Sequence, residues 1–128
     1  SKRRTNSPTM AETRSTAVVL MSSSVSNEVD KVRQRKLVAA LTSKKTRFVE
    51  IDGMDAEQKE VRGQLFDLSG LRGKYPQVFI QDGNGAYAFV GDWDEFENLL
   101  DSDGLEPEVL AANPTIKTFT TVFAACIA

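Results

Sequence analysis

Apolar residues are sparse over the first sixteen positions and then arrive together, as AVVLM at Ala17–Met21. A short unbroken run of this kind predicts a strand buried on both faces. A polar SSSVSN stretch follows, and a helical segment is predicted from about Asn27 to Ser43. Asn27 suits an N-cap, Glu28 and Asp30 suit the first turn, and Val25, Val29, Val32, Ala39 and Ala40 gather on one side. Thr46–Ile51 (TRFVEI) alternates as a strand and stops at Asp52-Gly53. A second helix is signalled by Asp55 and Gln58, with Val61, Leu65 and Leu68 at helical spacing before Ser69-Gly70. Lys74–Ile80 reads as a strand entered through Pro76. The turn Asp82-Gly83-Asn84-Gly85 joins it to Ala86–Val90 as a hairpin. Asp92-Trp93-Asp94-Glu95 is a capping-box pattern, and Trp93, Phe96, Leu99 and Leu100 form the buried stripe of the helix it opens, which ends near Asp103-Gly104. The predicted order is β-α-β-α-β-β-α. Crossover handedness makes the first strand pair parallel, and the tight turn makes the last pair antiparallel.

Composition narrows the chemistry. Of 128 residues, 41% are hydrophobic and 27% charged, as in an ordinary globular domain. The net charge of −2 argues against nucleic-acid binding. Histidine is absent, which removes the commonest general base and metal ligand. The single cysteine, Cys126, excludes an internal disulfide, a CxxC pair and a cysteine-based zinc site, so no metal is expected. No apolar run is long enough to span a bilayer. These features lead us to expect a cytoplasmic protein with little catalytic equipment. Residues 1–16 carry a net charge of +3 and few apolar side chains, and are expected to be a disordered basic tail. At the other end, Leu105–Ala128 forms an apolar extension. Leu105, Val109 and Leu110 suit a short amphipathic turn that Pro114 stops. Beyond Lys117 the chain carries no charge, so Phe119, Val122, Phe123 and Ile127 must be covered. Two covers are open: the chain's own domain, or docking onto a partner or second copy. Cys126 is expected to be a buried apolar residue.

VLMSSSVSNEVDKVRQ, KKTRFVEID, PQVFI after a proline, and VGDWDEFENLL resemble, in order and spacing over about residues 17–103, the SH3-domain-binding glutamic-acid-rich-like proteins. That family is glutaredoxin-related and lacks the redox cysteines. The resemblance implies an α/β thioredoxin-like fold with a four-stranded mixed sheet over residues 17–104. It also implies a cis peptide before Pro76 and a ligand groove beside it. Ser26 and Asn27 stand where a glutaredoxin keeps its thiolate, Gln77 and Val78 follow the proline and are expected to offer backbone groups to an extended peptide, and Gly91 and Asp92 stand where the γ-glutamyl end of glutathione would bind. Ser26 cannot replace a thiolate, because its hydroxyl is too weak an acid and no base accompanies it. Asp92 and Asp94 oppose a carboxylate at the helix start and suit an amino group. The family's SH3-binding proline repeat is missing: KYPQVF has one proline and no PxxP.

The expected function is a non-enzymatic protein-interaction module, an adaptor or assembly subunit on a redox-inactive glutaredoxin-like scaffold. Its candidate groove is Ser26, Asn27, Tyr75, Pro76, Gln77, Val78, Gly91 and Asp92, with Phe119, Val122, Phe123 and Ile127 as a candidate docking tail. Self-association through that tail is one form such docking takes. The alternative is a protein that binds glutathione or another small thiol in the groove without redox catalysis; otherwise no cofactor is expected.

Overall fold

The computed structural model describes residues 14–24 and 27–127. Val25 and Ser26, expected on the first helix face and in the groove, lie outside the described residues, as does most of the expected basic tail. The elements are β1 (Thr16–Met21), α1 (Glu28–Ser43), β2 (Phe48–Asp52), α2 (Lys59–Ser69), β3 (Gln77–Gln81), β4 (Tyr87–Asp92), α3 (Trp93–Asp103), α4 (Pro107–Ala112) and α5 (Phe119–Val122). Short 3-10 turns precede α2 and follow α5. The result is a mixed α/β structure with a four-stranded mixed sheet, ordered β2-β1-β3-β4. β1 and β2 are parallel, and β3 is antiparallel to both β1 and β4.

β1 shows why its sequence is apolar from Ala17 to Met21. Ala17 and Val19 enter one core cluster, with Leu37, Leu41, Val78, Phe96 and Leu99; Val18 and Leu20 enter the other, with Leu65, Phe66 and Phe79. The strand is covered on both sides over Ala17–Leu20, so these four positions have no polar alternative.

Two helix faces differ from the periodicity reading. In α1 the buried residues are Gln34, Leu37 and Leu41, whereas Val29 is 55% exposed and Ala39 is exposed. The larger leucines face the sheet, and the Val29 turn lies at the helix start, where the core does not reach. Of the expected valine and alanine stripe, Ala40 packs against the core. In α2, Leu65 and Phe66 are buried and Leu68 is half exposed.

The termini also require correction. Ser15, expected in the disordered tail, is buried; its N–H donates to the Ala125 carbonyl at 3.1 Å. Arg47 donates to the carbonyls of Ser15 at 3.1 Å and Ala125 at 2.6 Å, tying both ends of the described chain together. The C-terminal segment packs on its own sheet rather than standing ready to dock. Phe119, Phe123 and Cys126 are fully buried in the larger core cluster, and Val122 packs against it. Ile127 bridges Thr46. The expected docking residues Phe119 and Phe123 are core residues because water exclusion is already achieved in cis. Phe119 stacks on Phe123 at 4.6 Å between centroids, and Phe96 meets both rings edge-on. α4 forms where an amphipathic turn was expected, but Leu105 and Val109 remain exposed.

Candidate functional site

Three chain segments meet at one end of the sheet. The first is the start of α1, where the Asn27 carboxamide oxygen accepts from the amides of Val29 at 2.8 Å and Asp30 at 3.4 Å. The second is the loop from Leu71 to Pro76, which enters β3 through a cis Tyr75–Pro76 peptide, as the resemblance implies. The third is the β4–α3 junction, where one Asp92 oxygen accepts from the Glu95 amide at 3.2 Å. Together they enclose a cleft of about 340 Å³, lined by Arg33, Arg72, Lys74, Tyr75, Pro76 and Asp92, with Asp30, Gly73, Trp93 and Asp94 completing its walls.

Gln77 braces the middle segment. Its Nε2 donates to the carbonyls of Leu71 at 2.7 Å and Lys74 at 2.8 Å, so one buried carboxamide sets the curve of the loop that carries Arg72 and Lys74. Tyr75 packs edge-on against Phe66 at 5.9 Å, and burial raises its phenol pKa. A Cβ on Gly53 would collide with the Tyr75 hydroxyl and ring, so glycine there admits the tyrosine. At the junction, a Cβ on Gly91 would collide with Glu95 Cβ, which lets the chain turn directly from β4 into α3.

The charges in the cleft are arranged in pairs. Lys74 Nζ lies 2.9 Å from Asp92 Oδ2, and Arg33 lies 3.9 Å from Asp30. Burial alone would raise the Asp92 carboxyl, but hydrogen bonds from Lys74 and the Glu95 amide outweigh it and hold the group ionised below the usual range. The hydrogen bond to Asp92 raises Lys74, so its amine stays protonated at neutral pH and is no nucleophile. Arg72, which pairs with Asp67 outside the cleft at 3.2 Å, adds a further cation to the wall, and Asp94 adds an anion. This wall therefore presents charges of both signs. The chain's one thiol, Cys126, lies in the core; burial raises its pKa despite the nearby Arg47.

The expected groove residues divide into two groups. Tyr75, Pro76 and Asp92 line the cleft, whereas Asn27 caps α1 and is not among the lining residues. Gln77 and Val78 do not offer backbone to a peptide, because β3 is an inner strand. Gln77 is in register with Leu20 on one side and Asp92 on the other, and Val78 with Val19 and Gly91. Gly91 is buried beneath α3. Arg33, Arg72 and Lys74 were missed. Asp30 and Arg33 share a helix face by their spacing, but nothing local brings the Arg72–Lys74 loop to them.

Among the described residues, no helix is long and apolar enough to cross a membrane, and no group of His, Cys, Asp and Glu could hold a metal ion. Set against models of known protein families and against curated proteins, the chain matches none.

Proposed function

We propose that this chain is a cytoplasmic protein-interaction module on a redox-inactive, thioredoxin-like scaffold related to the SH3-domain-binding glutamic-acid-rich-like proteins, and that the cleft beside Pro76 is its docking site. The observation that carries this reading is the make-up of the cleft: fixed charges of both signs beside Tyr75 and Trp93, with Cys126 sealed in the core. Charges that are already paired and ionised suit recognition better than proton transfer, which needs a group poised near the working pH. The sheet order, with α1 between the parallel strands and α2 before the antiparallel pair, supports the scaffold assignment. Self-docking through Phe119 and Phe123 is set aside, since both are already buried.

The test is charge reversal. Proteins retained by the intact chain should be lost from Arg33→Glu/Arg72→Glu, with the variant's circular dichroism unchanged. Retention of the same proteins would rule out the cleft as the docking site. Turnover of a disulfide substrate by the intact chain would overturn the redox-inactive reading. Glutathione is the second reading, favoured by one feature: Asp92 and Asp94 suit its amino group while Arg33 and Arg72 suit its carboxylates. Saturable amide shifts confined to the cleft on titration with reduced glutathione would move that reading ahead.

A further inference from the structure

The sheet order leaves β2 at one margin, paired with β1 alone among the described residues. In a parallel ladder a residue turns its N–H and C=O toward the same neighbour, and the direction alternates along the strand. Bonds from the Ala17 amide to the Arg47 carbonyl (2.9 Å) and from the Gly53 amide to the Met21 carbonyl (2.7 Å) set the odd-numbered residues against β1. Phe48, Glu50 and Asp52 therefore turn their backbone groups outward.

Beside this margin lies a largely apolar groove of about 470 Å³ between α1 and β2. Met21, Val38 and Ala39 line it, together with Lys31, Arg35 and Glu50. Val49, in register with Val18 of the smaller cluster, is 45% exposed on the opposite face of the sheet. Arg35 has no ion-pair partner among the described residues, and Lys31 reaches only the exposed Glu28, at 4.0 Å. An unpaired strand margin, an adjacent apolar slot and available cations thus coincide.

We propose that this margin receives an extended peptide segment of another protein. The segment pairs with β2 as a fifth strand, sets an apolar side chain in the groove and directs a carboxylate to Lys31 and Arg35. Backbone pairing supplies affinity in such additions, and pockets for alternate side chains supply selectivity. A second copy of this chain fits worse. Antiparallel pairing centred on Glu50 sets Glu50 against Glu50, and pairing centred on Ile51 sets Glu50 against Asp52; like charges directly opposed are destabilising. Pairing centred on Val49 sets Asp52 against Thr46, already bridged to Ile127, and brings the cationic faces of two α1 helices to one side of the joined sheet.

Short random peptides displayed and selected on the immobilised full chain provide the probe, and enriched sequences are synthesised and titrated. Enriched peptides should alternate apolar residues and carry an acidic position. On binding, the amides of Phe48, Glu50 and Asp52 should gain protection from hydrogen exchange, while Val49 and Ile51, already bonded to β1, should not change. Ala39→Phe fills the groove from an exposed position, and Glu50→Pro deletes one outward N–H while sparing the β1 ladder. Each should weaken binding about tenfold or more, while Lys59→Ala, at an exposed position of α2, should not. If Glu50→Pro does not fold, Ala39→Phe and Arg35→Glu carry the test. Failure to enrich any peptide, protection of cleft amides instead, or self-association of the chain through β2 would each overturn the proposal.

Discussion

At the scale of single residues, the cleft depends on two glycines that differ in how much room their neighbours can yield. The obstacle at Gly91 is Glu95 Cβ, fixed to the first turn of α3, whereas the obstacle at Gly53 is the outer end of the Tyr75 side chain. Gly91→Ala must therefore separate β4 from α3, and should lower stability by about 1–3 kcal/mol in urea unfolding. Gly53→Ala should cost less and instead displace the Tyr75 ring, visible as changed aromatic NMR shifts along the cleft wall. Equal losses from the two would contradict this ranking. Gln77 presents a different balance. Gln77→Met removes two hydrogen bonds to loop carbonyls but also removes Oε1, a buried oxygen without a hydrogen-bond partner among the described residues. These effects oppose one another, leaving a net loss of about 1 kcal/mol. The larger signature should be faster amide exchange over residues 71–74; unchanged exchange there would deny Gln77 its bracing role.

At the scale of elements, Asp103 joins three helices. One oxygen of this residue at the end of α3 accepts from Lys44 just past α1, at 2.8 Å, and from the Thr120 hydroxyl at 2.9 Å; the other accepts from the Thr120 amide in α5 at 3.1 Å. Lys44 also lies over the Phe119 ring, 5.2 Å from its centroid. Burial would raise the Asp103 carboxyl, but the bonds from Lys44 and Thr120 outweigh it and place its folded pKa below the ordinary 3.8. A depressed carboxylate contributes its full stability above the unfolded pKa and loses it as pH falls through the folded value. Stability should thus decline on acidification below pH 3.8. Asp103→Asn should be less stable at neutral pH by about 1 kcal/mol and decline less with acid; parallel pH curves would refute the clamp. The elements joined here were legible because strand alternation, caps and turn residues are local signals. The buried face of α1 was not. Its valines and alanines form one stripe and its leucines another, and only the sheet decides which is covered. The cleft divides similarly: Tyr75, Pro76 and Asp92 stand out at element boundaries, while Arg33, Arg72 and Lys74 converge through a loop path that spacing does not encode. The strand after Pro76 reads equally well as an outer or an inner strand, so the pairing on both sides of Gln77 had to come from the sheet.

For the molecule as a whole, the central question is what the last twenty-odd residues contribute. Seen as sequence, Leu105–Ala128 is an appendix after a completed set of elements; in the fold its residues 119–126 help close the face of the sheet on which α1 and α3 pack. Phe119, Phe123 and Cys126 have no exposed surface, and Thr118 and Thr121 cap α5 reciprocally. Thr46–Arg47 and Ser15 bond the same segment from the strand side. Truncation of one buried phenylalanine to alanine typically costs about 3–5 kcal/mol, and domains of this size are stable by only about 5–15 kcal/mol. Removing both rings, and uncovering Phe96, Leu37 and Leu41 with them, therefore consumes most or all of the margin. A chain ending at Gly104 should lose its cooperative thermal transition and bind an apolar dye, whereas Val109→Ser on exposed α4 should leave the transition near that of the intact chain. A synthetic peptide spanning residues 105–128, added to the shortened chain, should restore cooperativity, since the clamp and the aromatic stack need proximity rather than chain continuity. If the shortened chain instead melts at the same temperature as the intact one, the tail is dispensable to the core, and Phe119 and Phe123 return as candidates for contact with a partner.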